Sequence, residues 1–196
     1  MADCLLHDAM ICDNLSEALY GAELVYGTSA RLRRLDRECV SPPEFAKKAV
    51  EASAKVAVVF GRESSGLTNE ELLKCHYHVH IPSVDSFSSL NLAQAVQVIS
   101  YEYRMAYLAR GESMILQTPK EPIAPHERVE GFYNHLETTL KEMMFIPSKE
   151  PKTFLSRIRL MFNRIQLQNT EVNILRGFLA AIKKERNYLL ARKGND

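Results

Sequence analysis

Three short loops carry the residues whose types and spacing can do chemistry. They are Gly27-Thr28-Ser29-Ala30-Arg31, Gly61-Arg62-Glu63-Ser64-Ser65-Gly66-Leu67, and Ser86-Phe87-Ser88-Ser89-Leu90-Asn91-Leu92, which follows Ile81-Pro82. Each offers small residues that let backbone amides approach a ligand closely. A helix predicted to start right after the third loop turns its free N–H groups toward an anion or a polar ligand edge. Taken singly, each loop has a plainer reading. Scattered glycines punctuate strands and helices, and Ser88 and Ser89 serve as N-caps. Neither G-x-G-x-x-G nor G-x-x-x-x-G-K-[ST] occurs, which argues against a dinucleotide or Walker-type phosphate site. Arg31, Arg33, Arg34 and Arg37 follow the first loop directly. They can hold phosphates without reading bases. Equally, Asp36 and Glu38 can neutralise them as a surface patch.

Metal chemistry has weaker support. His76, His78 and His80 alternate, so His76 and His80 share one strand face and His78 takes the other. Only Cys75 is close in sequence as a further ligand, so strand-end polar residues are the expected role and no metal is expected. Cys4, Cys12, Cys39 and Cys75 show no C-x-x-C spacing. They read as reduced thiols of a cytoplasmic protein.

The elements that must position these loops alternate. Asn14–Leu19 reads as a short helix and Leu24-Val25-Tyr26 as a strand ending at Gly27. Pro42-Pro43-Glu44 opens a helix to about Ala52, with Pro in the first turn. Lys55–Phe60 is a continuous apolar run, which predicts a parallel strand buried on both faces. Thr68-Asn69-Glu70-Glu71 caps a short helix, and Tyr77–Ile81 is the next strand. Such alternation implies right-handed βαβ units and a parallel sheet, with ligands at the carboxyl ends of the strands. Leu90 to about Arg110 follows helical spacing. Pro119, Pro122 and Pro125 mark residues 111–126 as a linker. Beyond it, three apolar stripes predict three amphipathic helices: Phe132, Leu136, Thr139, Leu140, Met143; Phe154, Ile158, Met161, Phe162, Ile165; and Val172, Leu175, Phe178, Leu179, Ile182.

The chain has 196 residues, 46% of them hydrophobic and 25% charged. That composition belongs to a globular domain with a modest extension and excludes disordered, collagenous and disulfide-scaffold classes. No apolar run reaches the roughly 18 residues a membrane span needs, and the N-terminus reads as no signal peptide. The formal net charge of +1 hides an asymmetry. Residues 1–140 hold 13 Lys+Arg against 19 Asp+Glu, whereas residues 141–196 hold 12 against 5. A basic tail on an acidic body suggests a polyanionic partner, although a solvated helical face accounts for charge alone.

The segments Gly27–Arg31, Val59–Leu72 and Ser88–Val98 resemble the signature loops of the SPOUT (TrmH-like) RNA 2′-O-methyltransferases. The nearest likeness is to the TrmJ type, bacterial tRNA (cytidine/uridine-2′-O)-methyltransferases. Phe132–Glu137 and Asn173–Gly177 extend the resemblance into the C-terminal helices, so it spans nearly the whole chain. It implies a SPOUT α/β-knot: a parallel sheet flanked by helices, a C-terminal trefoil knot, and an all-α extension. The expected domains are residues 1–110, a linker at 111–126, and a tRNA-binding helical extension at 127–196. S-adenosylmethionine is the implied cofactor, held by Thr28, Ser29, Ala30, Gly61, Ile81, Ser88, Ser89 and Leu90. Glu63, Ser89 and Asn91 match the polar residues that organise catalysis, and Arg31, Arg33, Arg34 and Arg62 are assigned to RNA. The implied substrate is the ribose 2′-hydroxyl at position 32 of the tRNA anticodon loop, and the implied assembly is a cytoplasmic homodimer with neither metal nor membrane. Relatives open with a further βαβ unit, about 50 residues long, which carries a catalytic arginine. That unit and its arginine are expected to have no counterpart here. The alternative expectation is therefore a cofactor- or RNA-binding remnant with impaired catalysis.

Overall fold

Short apolar segments separated by helices pair side by side, because each buries its peptide groups and side chains only against a neighbour. The computed structural model describes residues 7–30, 38–52, 54–84, 89–110, 121–147 and 150–193. Its strands are β1 (Leu24–Thr28), β2 (Cys39–Val40), β3 (Val56–Val59) and β4 (Tyr77–Val79), all parallel, in the spatial order β2-β4-β1-β3. Tyr26 pairs with Val58 on one side and Tyr77 on the other. Thus β4 enters between β1 and β2, two strands the chain has already laid down.

Helix starts follow their caps. In α1 (Leu15–Ala18) the Asn14 side chain accepts the Glu17 N–H. In α2 (Pro42–Glu51) the Glu44 carboxylate accepts the Ser41 N–H at 2.8 Å. In α3 (Asn69–Leu72) Thr68 and Glu71 exchange hydrogen bonds as a capping box. The long helix α4 (Leu92–Ala109) begins under Asn91, whose Oδ1 accepts the Ala93 N–H. One face of the sheet packs Leu24, Tyr26 and Val79 against Phe45, Ala46 and Ala49 of α2 and Ile99 of α4. The other face packs Val25 against Leu19 and Cys75.

The run Val56–Val59 differs from expectation. It is a strand, yet all four residues are only half-buried. Both its faces touch core clusters, but β3 is the edge of the sheet and its outer side meets no strand among the described residues. A continuous apolar run reports what packs above and below it, not what pairs alongside.

The C-terminal region forms α5 (His126–Glu142), α6 (Pro151–Asn163) and α7 (Asn169–Lys193). Phe132, Val172 and Leu179 make its core, with Phe162 edge-on to Phe132 at 5.0 Å. The stripes are only partly used: Met143, Met161, Ile165 and Phe178 are exposed. Three helices enclose one narrow core, so among the described residues one flank of α6 and of α7 is left exposed. Within the stretch 111–126, residues 121–125 lie along this region. Ala124 donates to the Leu167 carbonyl at 2.7 Å, and Glu121 accepts the Thr170 N–H at 2.9 Å.

Candidate active site

The carboxyl ends of three parallel strands leave peptide groups unpaired, and the chain must turn sharply there. β1 ends at Thr28, whose Oγ1 donates to the Val59 carbonyl at 3.1 Å and ties the first loop to β3. The Ser29 N–H donates to the Val79 carbonyl at 3.0 Å, tying the same loop to β4. His80 Nδ1 lies 3.2 Å from the Ser29 carbonyl oxygen. The first loop is therefore held from both sides.

The second loop closes on itself. Arg62 and Gly66 exchange backbone hydrogen bonds, Gly66 N–H to the Arg62 carbonyl at 2.8 Å and Arg62 N–H to the Gly66 carbonyl at 3.3 Å. The closure demands glycine at Gly61: a Cβ there would sit 2.3 Å from the Gly66 carbonyl carbon and 2.4 Å from the Leu67 nitrogen. Gly66 itself is left-handed, with φ +67°. Arg62 then reaches Glu71 with both guanidinium nitrogens, at 3.1 and 2.9 Å. The Arg62 fork and the Thr68 N–H hold the Glu71 carboxyl down at about 2. Glu71 thus serves twice, capping α3 and locking the loop. The capping motif Thr68-x-x-Glu71 is visible in sequence, but the bond back to Arg62 is not, because the pair stands nine positions apart across a loop that must first close.

These loops enclose a cavity of about 490 Å³. Thr28, Ser29 and Ala30 line it from β1; Gly61, Arg62 and Glu63 from the second loop; and Ile81, Ser89 and Leu90 from the third. The volume suits a cofactor-sized ligand. Glu63 and Asn91 meet across the loops, with Asn91 Nδ2 donating to Glu63 Oε1 at 3.0 Å. Because Asn91 also caps α4, the helix start and the second loop are fixed to each other. Arg62 borders the cavity while its guanidinium turns onto Glu71. Phe60, Ser64, Ser65, Val79, Leu92 and Ala95 also line the cavity. Ser64, Ser65 and Leu92 belong to the loops read from the sequence, where they had no assigned role; Phe60, Val79 and Ala95 were not singled out, because apolar residues at element ends have many commoner uses. Ser88, Arg31, Arg33 and Arg34 lie outside the described residues.

The histidines have structural partners. His76 Nδ1 accepts the Val25 N–H at 3.0 Å, and His78 is buried between β1 and β2. Among the described residues no three His, Cys, Asp or Glu side chains converge as a metal site.

Known proteins share this arrangement. The SpoU rRNA Methylase family matches residues 4–101, and the family described as tRNA methyltransferase TrmJ, C-terminal domain, matches residues 127–191. The tRNA (cytidine/uridine-2′-O-)-methyltransferase TrmJ of Photorhabdus laumondii is 45% identical over 185 residues, covering 93% of this chain and 77% of that protein. Its counterpart from Cronobacter sakazakii is 47% identical over 191 residues, covering 95% of this chain and 78% of that protein. The crystal structure of TrmJ from Z. mobilis superposes with a TM-score of 0.81 at 29% identity, over 93% of this chain and 77% of that one. With the three loops around one cavity and both regions matched, the chain belongs to the TrmJ family of tRNA methyltransferases, within the SpoU methylases.

Proposed function

We propose that this chain methylates the ribose 2′-hydroxyl of cytidine or uridine in tRNA, at position 32 of the anticodon loop, with S-adenosylmethionine as donor. The observation that carries the reading is the convergence of the three loops on one cavity at the carboxyl ends of parallel strands. A site held by backbone groups suits this cofactor, and Gly61 leaves no room for any side chain where the second loop folds back. When bound, the cofactor supplies the methyl group as a sulfonium, which calls for no metal. A ribose hydroxyl is a poor nucleophile until its proton is shared, and it must approach the donor in line at close range. Glu63, Ser89 and Asn91 are the polar side chains placed to organise that approach. Arg62, with Arg31, Arg33 and Arg34, is assigned to the RNA backbone.

In this reading residues 1–110 form the methyltransferase domain, 111–126 the connection and 127–196 the tRNA-binding extension. The protein works in the cytoplasm as a homodimer. Among the described residues no helix is long and apolar enough to cross a membrane. The α4 helix supports the dimer: Tyr101, Met105 and Leu108 on it are exposed, and only Ile99 of its 18 residues is buried.

The alternative reading is a cofactor- or RNA-binding protein without turnover, and beside it stands the outer side of β3, which is open among the described residues. Two measurements decide. Calorimetric titration with S-adenosylmethionine and S-adenosylhomocysteine tests the cavity. Transfer of a labelled methyl group from S-adenosylmethionine to tRNA tests turnover. Binding with transfer supports the enzyme, binding without transfer supports the second reading, and no binding of either ligand overturns both.

A further inference from the structure

Hydrogen bonds dock the helical region on the sheet domain among the described residues. His126 N–H donates to the Ala22 carbonyl at 2.8 Å, Glu127 accepts the Gly21 N–H at 3.0 Å, and Gln166 reaches the Tyr77 hydroxyl. Asn163, the last residue of α6, makes a contact of another kind, because it meets the end of a helix. Its Nδ2 donates to the Leu73 carbonyl at 3.1 Å and lies 3.4 Å from the Cys75 carbonyl oxygen. Leu73 is the residue that closes α3.

A single turn of four residues, such as α3, does not hold itself, so its order comes from its two ends. At its start Thr68 and Glu71 cap it. At its finish the last carbonyls need donors from beyond the helix. The carbonyls of Asn69, Glu71 and Leu72 accept the N–H groups of Leu73, Lys74 and Cys75. The Leu73 carbonyl accepts from Asn163, 90 positions further on. Asn163 is itself oriented for this. The Tyr133 hydroxyl donates to its Oδ1 at 2.8 Å, which turns Nδ2 toward α3, and Tyr133 is buried in the core of the helical region.

The same turn governs the cavity. Glu71 accepts both guanidinium nitrogens of Arg62, and Arg62 closes the second loop with Gly66. Arg62, Gly66 and Leu67 line the cavity. Four helical residues span only about 6 Å, so a tilt of α3 at Leu73 carries Glu71, and the loop it locks, along with it.

We propose that Asn163 is a positioning residue for the cofactor: it caps α3 from the helical region and, through Glu71 and Arg62, fixes the loop that lines the cavity. The inference rests on the cofactor reading above and adds to it a support from outside residues 1–110.

The test is calorimetric titration of the full chain with S-adenosylmethionine, with no RNA present. Asn163→Asp is nearly isosteric, keeps an acceptor for Tyr133 and removes the donor to Leu73. It is expected to weaken cofactor affinity about fivefold, with helix content retained by circular dichroism. Asn163→Ala, which adds no charge, is expected to do the same. Glu127→Ala is the control, since it removes a docking bond of the same region that does not touch α3. Its affinity is expected to stay within about twofold of wild type. A double variant tests the route, which a merely structural role of Asn163 would not reproduce. Asn163→Ala combined with Glu71→Gln is expected to lose about tenfold, no more than Glu71→Gln alone, whereas independent effects would multiply to about fiftyfold. Affinity within about twofold of wild type in both Asn163 variants overturns the inference, as do an equal loss in Glu127→Ala and an about fiftyfold loss in the double variant. No binding by the unaltered chain overturns the cofactor reading itself, and the inference with it.

Discussion

Gly61 and Glu71 decide the shape of the second loop, and they do so differently. At Gly61 the constraint is steric, since a methyl group would collide with the backbone of Gly66 and Leu67. Gly61→Ala is expected to cost about 1–3 kcal/mol and to abolish cofactor binding by calorimetry. Gly66→Ala is the control. Its added Cβ meets nothing within 4 Å, so it carries only the left-handed strain, about 1 kcal/mol, and retains most of the binding. At Glu71 the constraint is electrostatic. Glu71→Gln leaves the α3 cap a polar side chain but loses the charged fork to Arg62, and is expected to weaken cofactor affinity about tenfold with unchanged helix content. The pH dependence follows from the lowered carboxyl, about 2 in the fold against an ordinary 4.5. A carboxylate with a lowered folded value contributes its stability in full above 4.5 and loses it as pH falls toward 2. The urea-unfolding difference between wild type and Glu71→Gln should hold steady above about pH 5 and shrink below pH 4.5. A constant difference down to pH 3 would show that the fork contributes nothing. At this scale the sequence was readable where motifs were contiguous. Glu63, Ser89 and Asn91 were named through the family resemblance, and the structure joins Asn91 to Glu63, whereas the Arg62–Glu71 lock depends on a loop closing, which spacing does not reveal.

Elements were legible to the extent that their signals are local. The Thr68 cap placed a helix start in sequence because its bond spans only three residues, whereas the long helix α4 is capped by Asn91 and not by Ser89, the cap the sequence suggested. The edge position of β3 was not legible, since Val56–Val59 packs on both faces as a central strand would and differs only alongside. The three C-terminal stripes located helices, but periodicity overstates burial when one narrow core must serve three of them. Phe132 is 1% exposed and holds that core together. Phe132→Ala is expected to cost about 3–5 kcal/mol within the helical region. Two-probe unfolding would then show the helical signal melting first while S-adenosylmethionine binding persists. If cofactor binding and helix content are lost together, the two regions fold as one unit.

For the whole molecule, the charge asymmetry marked a basic C-terminal region, but not where that region would dock. That depends on Glu127, Asn163 and Gln166, three ordinary polar residues whose partners lie more than 80 positions away. Within the helical region an ion pair ties α6 to α5: Arg159 grips Glu130 at 2.5 and 2.8 Å and lies 4.3 Å above the Tyr133 ring. Burial alone would raise the Glu130 carboxyl, yet Arg159 keeps it below its ordinary value. The stacked tyrosines of the sheet have an optical consequence. The chain holds no tryptophan and eight tyrosines, so tyrosine dominates its near-ultraviolet absorbance. Tyr26 is fully buried, stacked on Tyr77 at 5.1 Å and edge-on to Phe45 at 4.8 Å. Burial, and then the neighbouring Tyr77, pushes its hydroxyl well above the ordinary 10. A group held protonated in the fold stabilises it fully below pH 10 and progressively less as pH climbs beyond. In an alkaline titration, Tyr26 should therefore ionise only as the sheet opens, giving a late, cooperative rise in tyrosinate absorbance that Tyr26→Phe removes. The centre of the sheet thus carries its own chromophore, and its unfolding can be followed without any added label.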